Sequence, residues 1–496
     1  MRMNSSTSID AKTAPVDPGK GTSAWTRRDF LHRTGSGFGG LALSSLLARD
    51  LHAGRPHFPA RAKRVIQIFC PGGMSQVDTF DYKPALERRA GEPFDPGGEL
   101  QFFASKPGNC LPSQWSFRQH GESGRWVSDL FPKLATCVDD MAFVYSMKST
   151  SALHGPGCFQ MNTGQSLPGF PSMGAWVTYG LGNESENLPA FVVLPDPRGL
   201  PPGGIINWGA GFLPAVHQGA ALDTTNSERP IADLFPSGDI SAATPASDAA
   251  GLGFLRQLNS RHRESRNGNT ELDARIAAYE MAARLQLSAP EVTDLRGESA
   301  ATRRLYDLDH PETGPFGRQC LLARRLAERG VRFVQVYCGA ENTTAREIRP
   351  NWDSHEDVVR DHGYWGAVLD TGASALLKDL KSRGMLDDTL VMCTTEFGRQ
   401  PAAQATKNGD TAGRDHNAGA FTAWMAGGGV KPGTGYGATD ELGFEAVDRV
   451  LHSWELHATA LHLLGIDHER LTWYHNGLEQ RLTGFEGKGV IPELIA

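Results

Sequence analysis

The sequence predicts an α/β protein whose central sheet is mostly parallel. Short apolar runs recur along the chain, and each ends abruptly in a polar or glycine-containing loop. The clearest example is LDDTLVMCTTEFG at Leu386–Gly398, where the apolar run Thr389–Cys393 follows a helix-like segment and stops at Thr394. A continuous apolar run between helices is typical of a parallel strand that is buried on both faces. Ligands of open α/β sheets bind beyond the carboxyl ends of such strands, so Glu396 is a candidate functional residue.

Other runs of the same kind predict five more strands. They are Val65–Cys70, Ala142–Ser146, Phe191–Leu194, Val331–Cys338 and Ala420–Ala426. Amphipathic or helix-like segments separate them and predict helices. These lie near Val127–Cys137, over residues 271–288, over Gly317–Gly330 and Tyr364–Arg383, and near Trp454–Leu464.

The composition limits the classes of function. The formal charge of −7 gives no electrostatic case for nucleic-acid binding. The seven cysteines include no CxxC pair, so neither a zinc ribbon nor a thioredoxin motif is indicated. The 57 glycines and 30 prolines predict long loops, especially over 199–250.

The first 54 residues predict a disordered start followed by an export signal. Thr26-Arg27-Arg28-Asp29-Phe30-Leu31 precedes a weakly apolar, glycine-rich run, and Leu51-His52-Ala53 offers a cleavage site. The alternative is a short amphipathic helix that contains an arginine pair by chance. We favour the twin-arginine signal, which places the protein in the periplasm or cell envelope. The run is too short for an ordinary membrane span, and no later segment is long and apolar enough.

Two loops after early strands carry candidate residues. Pro71-Gly72-Gly73 makes a sharp turn after the first strand and leads to Asp78 and Asp81. Glycines let the backbone approach a ligand closely, although the two aspartates could instead cap the next helix. His154 stands beside Gly-Pro-Gly after a hydroxyl-rich loop, a setting that favours a ligand or acid–base role over a place in the core.

Three later loops add imidazoles and carboxylates at short spacing. Asp353 and His355 follow the strand Val331–Cys338, Glu396 follows Thr389–Cys393, and Asp415 and His416 precede Ala420–Ala426. Such residues at the ends of neighbouring strands suit a divalent metal ion. The alternative is a solvated acidic loop whose carboxylates cap helices and turns.

The order of these sequence motifs resembles that of a known family. PGGMSQVDTFD, WDSH, TTEFGRQP, GRDHN and LHATALHLLGIDHERLTWYHNG are similar to the DUF1501 family, which belongs to the alkaline phosphatase/sulfatase superfamily. The resemblance covers roughly 60–490. It implies one domain with an alkaline-phosphatase-like three-layer α/β/α fold and an insertion around 199–315.

The superfamily motifs and this chain differ at several positions. DDTLVMCTTEFG aligns with the sulfatase phrase DNTLVxFTSDxG, which places Glu396 on a metal-binding aspartate and Phe397 on a metal-binding asparagine or histidine. HGPGCFQMNTG aligns with the sulfatase nucleophile phrase, with His154 at the nucleophile and Cys158 at an arginine position. The formylglycine route of sulfatases is therefore not available there.

The resemblance implies a metal-dependent hydrolase of phosphate or sulfate esters, with a small molecule or a polysaccharide as the substrate. Zinc, calcium or manganese would be held among Asp353, His355, Glu396, Asp415 and His416. His154 or Asp78 would act as the base, and Arg399 and Arg414 would bind the oxyanion. The alternative is a catalytically degenerate binding or assembly protein of the cell envelope on the same fold.

Overall fold

A computed structural model describes most of the chain. It covers residues 56–95, 108–185, 187–224, 292–341, 349, 351–404, 412–487 and 489–496, with short pieces between 253 and 261. The predicted export signal in 1–54 and the predicted helix over 271–288 lie outside the described residues. Within Ala53–Ala496, which form one compact unit, eight strands make one large sheet.

The strands of the large sheet, in chain order, are β1 Arg64–Phe69, β4 Met141–Met147, β5 Phe191–Leu194, β6 Ala220–Ala221, β7 Phe333–Tyr337, β8 Thr389–Thr394, β11 Phe421–Ala426 and β12 Gly435–Tyr436. Their order across the sheet is β12-β4-β11-β8-β1-β7-β5-β6. Strands of two to four residues form small separate ladders. They are β2 Phe117–His120 with β3 Arg125–Ser128, β9 Gly398–Arg399 with β10 His416–Asn417, β13 Ala438–Thr439 with β14 Ala446–Asp448, and β15 Trp473–His475 with β16 Leu478–Gln480.

The described helices lie between these strands. They are α1 Gln76–Thr79, α2 Pro84–Arg88, α3 His154–Thr163, α4 Met173–Leu181, α5 Ala300–Leu305, α6 Gly314–Glu328, α7 Val358–Ser382 and α8 Ser453–Leu463. Short 3-10 helices span Leu134–Asp140, Gly204–Trp208, Ala215–His217, Leu386–Asp388 and Pro492–Leu494.

The sheet is buried on both faces, which makes the fold three-layered. Alternate residues of β1 enter two separate hydrophobic clusters: Ile66 and Ile68 belong to one, and Val65 and Phe69 to the other. Helices α6 and α7 pack into the first cluster, while α3, α4 and α8 pack into the second. The structure therefore confirms the predicted α/β class with a mostly parallel sheet, since β11 alone runs antiparallel to its neighbours in it.

One predicted helix is wrong. The segment Val127–Cys137 contains the end of strand β3, which pairs with β2, and the start of the 3-10 helix Leu134–Asp140. Pairing with β2 satisfies the backbone of Val127 and Ser128 across the hairpin, so the local apolar pattern does not become one helix.

The topology brings the candidate loops to one edge. Strands β1, β4, β7 and β8 point the same way, so their carboxyl ends meet there. Strand β11 runs the other way, which puts its amino end, just after His416, at the same edge.

Candidate metal centre

Four side chains converge at this edge of the sheet: His154, Asp353, His355 and His416. His154 is the first residue of α3, Asp353 and His355 lie in the loop between β7 and α7, and His416 opens β10. One ligand atom from each lies within 4.8 Å of every other. His416 is buried, while the other three keep partly exposed side chains. The cluster is thus held by buried elements and open to solvent on one side.

The separations within the cluster match those of metal ligands. Asp353 Oδ1 lies 2.8 Å from His355 Nε2 and 3.2 Å from the Nε2 atoms of His154 and His416. The two nitrogens His355 Nε2 and His416 Nε2 are 3.0 Å apart. Ligands of a tetrahedral zinc ion, at bond lengths of about 2.0–2.1 Å, stand about 3.3–3.4 Å from one another. Small adjustments would therefore admit one ion of this size.

The other ring nitrogen of each histidine is held by an oxygen acceptor. The distances are 2.6 Å for His154 Nδ1–Glu396 Oε1, 2.6 Å for His355 Nδ1–Gln404 Oε1 and 2.7 Å for His416 Nδ1–Ala152 O. Because amide, carbonyl and carboxylate oxygens accept, each Nδ1–H donates and each Nε2 keeps its lone pair. This arrangement orients imidazoles for metal binding and fixes the required tautomer.

The cluster attracts positive charge. Burial raises the pKa of Asp353, but Arg399 and the three imidazoles outweigh burial and hold that pKa well below its usual range. Burial lowers the pKa of His154, yet its interactions with the carboxylates of Asp353 and Glu396 raise it to about 9. Burial and the charge of Arg399 lower the pKa of His416 to about 4. Without an ion, the cluster therefore binds a proton at His154.

His154 Nε2 provides a further test of fit. The atom is buried and makes no well-formed hydrogen bond within the described part of the chain, although Asp353 Oδ1 is 3.2 Å away. A buried polar nitrogen without a well-formed hydrogen bond costs free energy unless something binds it. The donor set therefore fits a divalent ion. Three imidazoles also favour zinc over calcium and manganese, which prefer oxygen ligands.

Glu396 lies behind the ligands. Its Oε1 accepts from the Gly72 N–H at 2.8 Å as well as from His154, and its Oε2 accepts from Thr395 Oγ1 at 3.2 Å. The carboxylate is fully buried. Glu396 was predicted as a metal ligand. In the structure its carboxylate contacts the candidate ligand His154 and is not one of the four residues of the cluster.

Replacing Glu396 with alanine should weaken metal binding without abolishing it. Loss of an outer-shell partner typically costs about 10–100-fold in metal affinity, because the imidazole loses its orientation and some basicity. Competition with a fluorescent chelator would measure the change. Glu184→Ala is the matched control, because this half-exposed carboxylate pairs with Arg332 next to the amino end of β7, at the opposite edge of the sheet. Equal affinity in Glu396→Ala and wild type would rule out the orienting role.

Asp415 also lies outside the set of four. Its Oδ1 accepts a hydrogen bond from the backbone N–H of His416 at 2.8 Å and stands 4.0 Å from His355 Nδ1. The side chain is buried. This placement suits a residue that positions the short strand β10 and, through it, His416.

Arg399 is a buried cation beside Asp353 whose N–H groups are already used. Its Nη2 donates to Asp353 Oδ1 at 2.5 Å and to the carbonyl of Gly72. Its Nε donates to the Gly73 carbonyl at 2.9 Å, and its Nη1 to the Arg414 carbonyl at 3.0 Å. Arg399 therefore neutralises Asp353 and ties the Pro-Gly-Gly turn to the cluster.

Gly72 shows why that turn needs glycine. Its φ is +108°, and a Cβ added there would lie 2.5 Å from the backbone nitrogen of Asp353. The turn was predicted to approach a ligand closely. In the structure, its backbone approaches the loop that carries Asp353.

Asp78 and Arg414 form a fully buried ion pair. Arg414 Nε lies 2.7 Å from Asp78 Oδ2, and Arg414 Nη2 lies 3.0 Å from Asp78 Oδ1. Both side chains have no exposed surface. The remaining N–H groups of Arg414 donate to the carbonyls of Leu111, Pro112 and Gln400. The structure thus pairs a predicted base with a predicted oxyanion ligand, and neither belongs to the cluster of four.

Arg414→Ala should destabilise the fold by about 3–5 kcal/mol, because it leaves the Asp78 carboxylate buried and unpaired. Urea unfolding would measure the loss. Arg449→Ala is the control, since its partner Asp448 is exposed and such pairs contribute about 1 kcal/mol or less. A loss no larger than that of Arg449→Ala would contradict this account of the pair.

The stability lost in Arg414→Ala should depend on pH. Burial raises the pKa of Asp78, but the charge and hydrogen bonds of Arg414 outweigh burial and leave the pKa below its usual value. A depressed carboxyl pKa stabilises the fold above the unfolded pKa of about 4, and this contribution is lost as the pH falls towards the folded value. The wild-type advantage should therefore be full at neutral pH and shrink in acid.

Two residues near the cluster were not singled out from the sequence as functional groups. Phe397, noted only as the absence of a ligand, is buried and lies against the rings of His154 and His416, at centroid distances of 4.9 and 4.6 Å. Arg349 Nη1 is 3.4 Å from Asp353 Oδ2, and its side chain is 20% exposed. The sequence feature that could have identified Arg349 is its position four residues before Asp353. Unlike Arg399 and Arg414, Arg349 reaches solvent.

One protein-family model matches most of this chain. A family model described as "Protein of unknown function (DUF1501)" matches residues 62–495. None of the curated proteins compared matches the chain.

Several solved structures are similar to this chain at low sequence identity. The PsFucS1 sulfatase from Pseudoalteromonas sp. is 13% identical, with coverage of 91% of this chain and 76% of its own and a TM-score of 0.32. The phosphonate monoester hydrolase of Agrobacterium radiobacter is 12% identical, and the match covers 83% of this chain and 74% of the hydrolase with a TM-score of 0.32. A protein in the alkaline phosphatase superfamily from Vibrio parahaemolyticus is 10% identical, and the match covers 84% of this chain and 69% of that protein with a TM-score of 0.34.

Proposed function

The chain belongs to the DUF1501 family, and we propose that it is a metal-dependent hydrolase of phosphate or sulfate esters. The observation that carries this proposal is the set of three oriented imidazoles and one carboxylate at the sheet edge. We assign the ligand roles to His154, Asp353, His355 and His416. A divalent ion held there supplies Lewis-acid chemistry to a phosphoryl or sulfuryl group.

The surroundings of the cluster suit an anionic substrate. Helix α3 begins at His154, and its first turn points free N–H groups and a positive dipole end towards the same edge. A Cβ at Gly155 would meet no atom within 4 Å, so the backbone there borders open space. Arg349 adds a positive charge 3.4 Å from Asp353 Oδ2. We therefore assign oxyanion binding to the start of α3 and to Arg349.

A second candidate function rests on a different observation. Four protein ligands complete a tetrahedral shell, as in structural zinc sites, whereas catalytic sites keep one position open. Arg399 and Arg414, the predicted oxyanion ligands, already use their N–H groups within the protein. These features favour a non-catalytic binding or assembly protein that retains the metal for stability.

Turnover of simple esters separates the two functions. The metal-loaded full chain should hydrolyse 4-nitrophenyl phosphate or 4-nitrophenyl sulfate, and chelation should abolish the hydrolysis. Retention of the metal with no turnover of either ester above the uncatalysed rate would overturn the hydrolase proposal and support the binding protein. Comparison of the two esters would also identify the transferred group, and sulfated or phosphorylated polysaccharides would be tested next.

We also propose that the twin-arginine motif at Arg27 and Arg28 directs export of the folded protein to the periplasm or cell envelope. Among the described residues, no helix is long and apolar enough to cross a membrane. Arg27→Lys with Arg28→Lys should leave the protein in the cytoplasm. Cell fractionation would measure this, with Arg61→Lys as the control. Unchanged export of the double variant would contradict the proposed signal.

A further inference from the structure

A second concave site lies on the hairpin β2–β3, separate in its residues from the metal cluster. It is a cleft of about 370 Å³, at the small end of the roughly 300–1,000 Å³ of small-molecule sites. Its lining combines aromatic rings with a few polar groups, chiefly Tyr82, Trp126, Tyr145, Gln119 and Arg125. A cleft of this size accommodates one ring of a ligand.

Aromatic faces form the wall of the cleft. The rings of Tyr82 and Trp126 are in contact at a centroid distance of 4.5 Å, and the ring of Phe117 stacks on Tyr82 at 5.2 Å. Trp126 nevertheless keeps 37% of its surface exposed. An indole that is braced by neighbours and still exposed presents a rigid flat surface. The negative face of such a ring attracts the weakly positive C–H groups on the apolar side of a sugar.

The polar groups of the cleft favour a negative charge on that sugar. Asp81 also lines the cleft, but it pairs with Lys83 at 3.0 Å and accepts a hydrogen bond from Thr439. Arg125 donates to the Ser123 carbonyl at 3.3 Å and interacts with Tyr145. Within the described ranges no carboxylate forms an ion pair with Arg125. The positive charge of Arg125 is therefore available to a ligand.

We propose that this cleft binds one anionic sugar ring, a uronate or a sulfated hexose, within a polysaccharide. The sugar ring stacks on Trp126, Arg125 binds its carboxylate or sulfate, and the exposed amide of Gln119 binds a hydroxyl group. Planar aromatic walls with a guanidinium and an amide at the rim suit a flat, hydroxyl-rich, charged ligand. The inference does not depend on the metal centre, so chelated protein should bind sugar equally well.

Calorimetric titration of the full chain tests the proposal with digalacturonate, a sulfated galactose disaccharide and unsubstituted galactobiose. At least one anionic sugar should bind, and galactobiose should bind about tenfold more weakly or worse because it lacks the charge. Binding by only one of the two anionic sugars identifies the anion and supports the proposal. Equal binding of galactobiose, or no binding by any of the three, overturns it.

Two variants test the assigned roles. Trp126→Ala should weaken binding about tenfold by removal of the stacking surface, and Arg125→Gln should abolish the preference for anionic sugars. Tyr474→Ala is the matched control, because Tyr474 is also an exposed aromatic residue on a two-stranded ladder. Unchanged affinity in Trp126→Ala overturns the site. Tighter binding of phenyl sulfate than of the sulfated sugar, in competition with it, overturns the sugar assignment.

Discussion

Replacing His416 with alanine is expected to abolish metal binding. His416 is the most buried of the four ligands, and its Nε2 lies 3.0 Å from His355 Nε2 and 3.2 Å from Asp353 Oδ1. The carbonyl of Ala152 fixes its tautomer. Calorimetric titration with zinc should show an affinity at least about 10³-fold weaker than that of wild type, because a direct ligand contributes more than the 10–100-fold of an outer-shell partner.

The loss of metal should also appear as a loss of stability. An ion present at about 1,000 times its dissociation constant stabilises the folded state by about 4 kcal/mol. Added zinc should raise the thermal midpoint of wild type and leave that of His416→Ala unchanged. His120→Ala, a change in hairpin β2–β3, should respond to zinc as wild type does. An equal response of His416→Ala and wild type would show that the ion binds elsewhere.

The second large effect is expected for Asp353→Asn. Asp353 Oδ1 contacts all three imidazoles and Arg399, so the change removes the one ligand charge and leaves Arg399 buried without its counter-ion. If the protein is a hydrolase, kcat/KM for its aryl ester should fall by about three orders of magnitude, which corresponds to several kcal/mol of transition-state stabilisation.

The matched control for that prediction is Asp139→Asn. This carboxylate accepts hydrogen bonds from the backbone N–H groups of Glu122 and Ser123 in the turn of hairpin β2–β3. The activity of this variant should equal that of wild type. Activity in Asp353→Asn within tenfold of wild type would exclude the cluster as the reaction centre.

The strands were predictable because each is an apolar run that the sheet buries on both faces. Phe191–Leu194 has the predicted bounds, and β8 extends the predicted Thr389–Cys393 by one residue. Helix α7 begins earlier than predicted, at Val358, because the Asp357 side chain accepts from Arg360 N and caps it. Such a cap depends on the conformation of the preceding loop, which the apolar pattern does not reveal.

The residues of the candidate site were more predictable than the contacts that these residues make with one another. The sequence places His154, Asp353, His355 and His416 after or before strands that share an edge, and the structure brings them together. It does not reveal that the Glu396 carboxylate lies against an imidazole instead of an ion, because both placements need the same residue at the same strand end. Nor does it reveal that backbone carbonyls from Gly72, Gly73 and Pro112 occupy the N–H groups of Arg399 and Arg414.

Metal analysis of the purified wild-type full chain tests the central claim most directly. Elemental analysis by mass spectrometry, after purification without chelators, should find about one divalent ion per chain, with zinc favoured by the three imidazoles, since a single set of four ligands is present among the described residues. X-ray absorption at the edge of that metal should report mainly nitrogen ligands from imidazole. Protein that carries no metal, and binds none when zinc or manganese is supplied, would contradict the proposed metal centre.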